Sequence, residues 1–104
     1  MIRHTVFVKF PTDARTETID GVFRALDDLR AALPDMLNFK GGANVSPEGL
    51  ARGFTHAFVA DFVDVAARDA YLVHPAHQAA GARLVAAAEG GLDGLIVIDI
   101  DIGG

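Results

Sequence analysis

The segment YLVHPAHQ, residues 71–78, brings together residue types that can move protons. It contains the only tyrosine of the chain, Tyr71, and two of the four histidines, His74 and His77. An imidazole titrates near neutral pH and can take a proton from a carbon acid, and a phenol can donate a hydrogen bond to the enolate that forms. With His77 as base and Tyr71 as donor, the pair could enolise a carbonyl compound without a metal or a cofactor.

Each of these residues also has a purely structural interpretation. Tyr71 could be a core residue whose hydroxyl finds one partner, and His77 could bond a nearby carbonyl group. His74 precedes Pro75, so we favour a role as the cap of a new helix over that of a second pocket histidine or a metal ligand. No Asp, Glu or Cys nearby completes a ligand set with the two histidines, so no metal site is predicted.

The other two histidines lie on predicted strands. His4 shares a strand face with Val6 and Val8, which suits either a buried structural histidine or the wall of a pocket. His56 shares its face with Phe58 and has the same two interpretations.

Two aspartates, Asp99 and Asp101, alternate on the last predicted strand. Paired carboxylates can bind cations or take part in acid–base chemistry, but near a chain end we expect a solvated strand edge. The Gly41–Gly42 pair lacks the further glycines and the lysine of a phosphate-binding loop. It suggests a bulge or a bend in a strand.

The hydrophobic pattern predicts elements in the order β-α-β-β-α-β. Strands are expected over residues 2–10, 36–45, 54–62 and 92–102, and a first helix begins between residues 13 and 16 and stops at Pro34. A second helical stretch begins at Val65, is divided by Pro75 and ends near residue 89. This order predicts a ferredoxin-like α+β fold, with a four-stranded antiparallel sheet and the helices on one face. A length of 104 residues predicts one domain, residues 1–104.

Composition excludes several classes of function. The net charge is −5 and no segment clusters Lys and Arg, so nucleic-acid binding is not expected. The chain has no cysteine, which excludes disulfides, thiolate metal sites and a cysteine nucleophile. The N-terminal segment has no signal-peptide pattern, and no apolar run approaches the ~20 residues of a membrane span. We therefore expect a cytoplasmic protein.

Three predicted strands are apolar on both sides, although two helices can cover only one face of the sheet. The runs are VFV at residues 6–8, AFVA at 57–60 and LIVI at 95–98. The simplest cover for the second face is another copy of the chain. We predict a homodimer, sheet face to sheet face, that hides Phe7, Val59, Leu95 and Val97.

Three pieces of the chain, IRHTVFVKF, GFTHAFVADFVDVAARDAYLVHPAHQ and LIVIDID, resemble the stress-responsive α/β-barrel domain family. The resemblance covers essentially the whole chain, and the spacing Tyr-x-x-His-Pro-x-His is its most unusual part. It implies a dimeric α+β barrel with a pocket between sheet and helices. In a plant member, olivetolic acid cyclase, a tyrosine and a histidine close a linear polyketide by aldol condensation, and they correspond to Tyr71 and His77. A further pocket histidine corresponds to His4.

The resemblance implies that the pocket binds a small apolar or aromatic carbonyl compound. His77 and Tyr71 would carry out cyclase- or lyase-type acid–base chemistry, without a cofactor. The cyclase has a tyrosine on its first helix and aromatic residues on its last helix where this chain has Leu26 and the alanines 86–88, so the lining differs. In the alternative function, the protein is a non-catalytic ligand-binding or stress-response module whose histidines serve structure. The further residues expected at the pocket are His4, Val6, Val8, Phe23, His56 and His74.

Overall fold

The computed structural model describes all 104 residues, Met1 to Gly104, and contains one four-stranded antiparallel sheet. Its strands are β1 (Ile2–Val8), β2 (Met36–Ala43), β3 (His56–Phe62) and β4 (Leu95–Asp101), in the spatial order β2-β3-β1-β4. Helix α1 (Thr16–Asp27) connects β1 to β2, and helices α2 (Val65–Val73) and α3 (Pro75–Ala87) connect β3 to β4. This is the ferredoxin-like arrangement, and the predicted division of the second helical connection at Pro75 is confirmed.

Several elements are shorter than the hydrophobic pattern predicted. Helix α1 gives way to a 3-10 turn over Asp28–Ala31 before Pro34, and a second 3-10 turn, Gly91–Gly94, delays the start of β4 to Leu95. Strand β1 ends at Val8 because the next backbone groups have other partners. The Lys9 N–H donates to the carbonyl of the second 3-10 turn at 2.8 Å. An apolar run therefore predicts too long a strand where the backbone groups at its end form hydrogen bonds outside the sheet.

The irregularity in β2 does not lie at Gly41–Gly42, where the sequence suggested it. The register of β2 against β3 shifts between Met36 and Asn38 instead. The first of the two glycines has a packing role, because a Cβ there would lie 3.0 Å from the ring of Phe23 and 3.1 Å from the Cβ of Phe58. It lets α1 approach the strand closely.

The helices cover the face of the sheet that carries the even-numbered residues of β1. Apolar side chains of α1 recur every three or four residues, which is the helical spacing for one buried face. Val22 and Leu26 of this helix are nearly fully buried. The core between sheet and helices is formed by Val6, Val8, Phe10, Val22, Leu26, Leu29, Met36, Phe58, Ala60, Phe62, Tyr71, Ala80, Leu84 and Ala88.

The opposite face of the sheet, which we call the open face, is not covered by any helix and is largely apolar. Its large side chains have exposed fractions from 38% to 53%, and they are Phe7, Ile96, Ile98 and Ile100. Its polar part lies at one end, where Arg3 donates two hydrogen bonds to Asp61, from Nε at 2.9 Å and from Nη2 at 3.0 Å. None of the helices is long and apolar enough to cross a membrane.

The prediction for β4 was wrong about which residues the open face carries. The register pairs Val6 with Val97 and Val8 with Leu95. Since paired residues point to the same side of a sheet, Leu95 and Val97 face the helices. The run LIVI is apolar at every position, so it shows no alternation of polar and apolar residues that would indicate which side chains face the helices.

Gly94 allows a close approach that a larger residue would prevent. A Cβ at Gly94 would clash with the carbonyl oxygen of Glu89 and lie 3.2 Å from the Cβ of Ala88. We expect Gly94→Ala to lower the free energy of unfolding by about 1–3 kcal/mol, as overpacking does. Gly81→Ala in α3 is the matched control: its Cβ would meet nothing within 4 Å. It should raise that free energy by about 1 kcal/mol through helix propensity. Urea unfolding measures both, and equal effects from the two variants would contradict the packing argument.

Candidate active site

A cavity of about 400 Å³ lies between the helix-covered face of the sheet and helices α2 and α3. We call it the helix-side cavity. Its volume is in the range of small-molecule sites, and most of its lining is apolar. The residues that define it are His4 and Val6 of β1, Tyr71 of α2, His77 and Gly81 of α3, and Val97 of β4.

Tyr71 brings a buried hydroxyl without a partner to this cavity. Its side chain is fully buried, and the hydroxyl oxygen makes no hydrogen bond in the protein. Burial raises the pKa of Tyr71, and the negative charge of Asp99 raises it further. The phenol therefore stays protonated at neutral pH and has a hydrogen bond to donate. A buried hydroxyl without a partner lowers the stability of the fold by about 1–3 kcal/mol, and a ligand that accepts its hydrogen bond would remove this cost.

His77 lies beside Tyr71, with the two ring centroids 4.2 Å apart. Its Nδ1 lies 3.3 Å from the carbonyl oxygen of Leu72. A carbonyl can only accept, so Nδ1 carries the proton and Nε2 has a free lone pair. Burial lowers the pKa of His77, and the hydrogen bond to Leu72 offsets this only in part. The ring is neutral at pH 7, as a general base must be.

His4 is a second imidazole in the cavity, and Asp99 holds it in place. His4 Nδ1 lies 2.7 Å from the Oδ1 of Asp99. Arg68 of α2 donates from Nη1 to the other carboxylate oxygen of Asp99, also at 2.7 Å. Burial alone would raise the pKa of Asp99, but the hydrogen bonds from Arg68 and His4 outweigh it and lower the pKa. Asp99 is thus a carboxylate at neutral pH and accepts from both neighbours.

Asp99 and Arg68 are site residues that the sequence analysis missed. Asp99 was expected to be a solvated strand edge, but the register of β4 pairs it directly with His4. Nothing in the sequence distinguishes Arg68, one of the two charged residues of α2, as a site residue. Asp99 and Asp101 lie on the same side of β4, but their spacing in the sequence does not indicate whether that side faces the helices or the open face.

The structure brings four of the eight predicted site residues together at the helix-side cavity, namely His4, Val6, Tyr71 and His77. Val8 lies on the same strand face but is fully buried in the core. Phe23 packs in an aromatic cluster with Phe10, Phe39 and Phe58 instead.

His56 and His74 also lie away from this cavity. The ring of His56 packs edge-on against Phe10 and bonds Thr55 Oγ1 at 2.8 Å. His74 caps α3, since its Nδ1 accepts a hydrogen bond from the Ala76 N–H at 3.1 Å. This is the favoured one of its two interpretations. The chain has no group of three or more His, Cys, Asp or Glu side chains placed to hold a metal ion.

A second cavity of about 400 Å³ lies between the open face and the loop that joins β2 to β3. Apolar residues of the open face, Phe7 and Ile96, form its floor, and Leu50 and Phe54 of the loop line its other side. Its titratable groups, Arg52 and His56, form no acid–base pair such as that of Tyr71 and His77. The acid–base groups are therefore concentrated in the helix-side cavity.

Comparison with known proteins gives matches over nearly the whole chain. Residues 2–102 match the family described as Stress responsive A/B Barrel Domain. The chain is 30% identical over 98 residues to the Stress-response A/B barrel domain-containing protein HS1 of Arabidopsis thaliana, covering 94% of this chain and 86% of that protein.

Solved structures share the fold over nearly the whole chain. A dimeric ferredoxin-like protein of unknown function from Jannaschia sp. CCS1 superimposes with a TM-score of 0.89 at 35% identity, covering 97% of this chain and 98% of the other. The hydroxynitrile lyase of Passiflora edulis superimposes with a TM-score of 0.85 at 26% identity, covering 98% and 93%. The fold, the family match over 2–102 and the curated relative lead to one conclusion: the chain belongs to the stress-responsive A/B barrel domain family.

Proposed function

We propose that the helix-side cavity binds a small apolar or aromatic carbonyl compound and that His77 and Tyr71 transfer protons on it. The buried, unpartnered hydroxyl of Tyr71 carries this proposal. A carbonyl oxygen in the cavity would accept from it and remove the cost of leaving it unsatisfied. The apolar lining favours the rest of such a compound.

The reaction would begin at the free Nε2 of His77. This nitrogen takes a proton from the carbon next to the carbonyl group, and the electron pair of the C–H bond becomes the double bond of an enolate. The negative charge moves to the carbonyl oxygen, where the Tyr71 hydroxyl stabilises it. In a cyclase-type step the enolate carbon then bonds to a second carbonyl carbon. The electron pair of that C=O double bond moves to its oxygen, which takes up the proton that His77 had removed.

A lyase-type step uses the same groups in the opposite direction. His77 would take the proton of a hydroxyl group, and the oxygen electron pair would form a carbonyl as the bond from that carbon to a leaving carbon group breaks. The leaving group would depart with the electron pair of the broken bond as a carbanion and take up the proton held by His77. The similarity to a protein named hydroxynitrile lyase supports this variant. In a non-catalytic ligand-binding module, the same cavity would bind the compound without proton transfer.

Proton exchange separates catalysis from simple binding. A thermal-shift screen of aromatic and β-keto compounds would first identify ligands. Exchange of the methyl protons of acetophenone in D2O, followed by NMR, then tests for enolisation. We expect exchange faster than in buffer alone. A ligand that raises Tm with no accelerated exchange would support the binding module instead.

We also propose that the open face is the interface of a homodimer. Its isoleucines and Phe7 are between 38% and 53% exposed, which is a large apolar surface for a small chain. The similar Jannaschia protein is described as dimeric. A two-fold axis would place each open face on its copy and bury these side chains completely. Because they are already about half buried, each would stabilise the dimer by roughly half of the ~1.5–3 kcal/mol for full burial of an exposed side chain.

Ile98→Asp should convert this dimer into a monomer, since each copy would bury a carboxylate without a partner in the proposed interface. Ile98 is 52% exposed in the single chain, so the fold itself should tolerate the change. Val73→Asp is the matched control, because Val73 is 70% exposed at the end of α2, away from the open face. Light scattering at micromolar concentration gives the mass. A wild-type monomer, or a dimeric Ile98→Asp variant, would refute this interface.

A further inference from the structure

Arg68 connects helix α2 to strand β4 without lining the helix-side cavity. Its Nη1 donates to the Oδ2 of Asp99 at 2.7 Å, and its Nε donates to the Oδ1 of Asp69 at 2.9 Å. Its side chain is only 22% exposed, and that of Asp99 21%. This guanidinium also acts on the helix-side cavity, because the carboxylate that it contacts is the one bonded to His4.

We propose that Arg68 is a positioning residue: by sharing Asp99 with His4, it keeps His4 neutral, protonated on Nδ1, with Nε2 free to accept a hydrogen bond in the cavity. The inference rests on the proposed function for its significance, since the cavity would then offer two acceptors, on His4 and His77, and one donor, on Tyr71.

The charge of Arg68 affects how readily His4 takes up a second proton. His4 has a side chain only 6% exposed, and its nearest charged partner is Asp99 at 2.7 Å. A carboxylate paired only with a buried imidazole favours the imidazolium ion. The guanidinium supplies the compensating positive charge, so a second proton on His4 gains less. An imidazolium has no lone pair, and Nε2 could then only donate.

No other charge near His4 can replace that of Arg68. Helix α2 contributes Tyr71, which is neutral, at a ring distance of 5.7 Å. Helix α3 contributes His77 across the cavity. Strand β3 places Ala60 opposite His4 and the rings of Phe58 and Phe62 beside it. Asp69, the second partner of Arg68, is more exposed than Asp99 and bonds only the guanidinium.

Two substitutions separate charge from hydrogen bonding. Arg68→Gln keeps a donor for Asp99 without the charge, and Arg68→Lys keeps the charge without the planar fork. The readout is the ¹⁵N NMR spectrum of the His4 ring, assigned by its loss in His4→Gln. For wild type and Arg68→Lys we expect a neutral ring with the proton on Nδ1. In Arg68→Gln the ratio of imidazolium to neutral ring at pH 7 should rise roughly tenfold. Asp69→Asn should leave the spectrum unchanged.

Two results would overturn the proposal. The first is an imidazolium, or a neutral ring protonated on Nε2, in the wild type at pH 7, a measurement that needs no variant to fold. The second is an Arg68→Gln spectrum identical to that of the wild type. Because the ring signals are recorded without a ligand, they stand even if no carbonyl compound binds. Conversely, acetophenone exchange can fail while the spectra behave as expected, which would sink the proposed function alone.

Discussion

Tyr71→Phe is expected to make the protein more stable and less able to act on a carbonyl compound. The hydroxyl is buried and has no partner in the protein, so removing it relieves a cost of about 1–3 kcal/mol. The same hydroxyl is the proposed donor to the enolate oxygen. Loss of one such donor typically lowers a rate by about 10²- to 10³-fold. Urea unfolding and acetophenone exchange measure the two effects.

Phe62→Leu is a suitable control for the Tyr71 experiment. The ring of Phe62 packs 4.8 Å from that of Tyr71 and is almost fully buried, but it carries no polar group. Its truncation should destabilise the fold, as loss of buried volume does. A destabilised Tyr71→Phe variant would mean that the hydroxyl has a partner in the folded protein. An unchanged exchange rate would mean that it does not act on the ligand.

His77→Ala should lower acetophenone exchange by about 10²- to 10⁴-fold, the usual contribution of a general base. His74→Ala is the matched control on the same helix junction. His74 caps α3 through the Ala76 N–H, so its loss should cost about 0.5–2 kcal/mol of stability and leave exchange unchanged. If both variants retain full exchange, His77 is not the base. Ligands that bind the His77→Ala variant as they bind the wild type would remove it from the site altogether.

The pH dependence of exchange should identify the same residue. A general base works in its neutral form, above its pKa. Burial lowers the pKa of His77, so the rate should still be constant when the pH is lowered to about 6.5, where an ordinary histidine is already half protonated. At lower pH, once the ring of His77 takes up a proton, the rate should fall roughly tenfold per pH unit. A rate that already falls at higher pH would contradict the lowered pKa.

Much of the fold could be predicted from local pattern. The change between a period of two and a helical period marks strands and helices, and Pro75 marks the junction of α2 and α3 because proline suits the first turn of a helix. The predicted ends of β1 and β4 were less accurate, because hydrogen bonds to the 3-10 turn Gly91–Gly94 take the place of regular sheet hydrogen bonds there. Those bonds join distant segments, so no local pattern reports them.

The candidate site was only partly predictable, for the same reason. Tyr71 and His77 are six positions apart on either side of one helix junction, so local sequence brings their rings together. Val8 and Phe23 are also predicted at the pocket, and Val8 shares a strand face with His4. In the structure Val8 is fully buried in the core and Phe23 packs against other aromatic rings, and such packing between distant segments cannot be read from local sequence.

The sequence by itself determined the order of the elements, the helix junction with its cap, and the pairing of Tyr71 with His77. Each of these depends on residues close together in the chain. Only the tertiary structure decided that Asp99 meets His4, 95 positions away, and that Arg68 holds the same carboxylate. It also decided that Ile96, Ile98 and Ile100 face outward. Both depend on the register of β4 against β1, and a shift of one residue would turn every side chain of that strand to the other face.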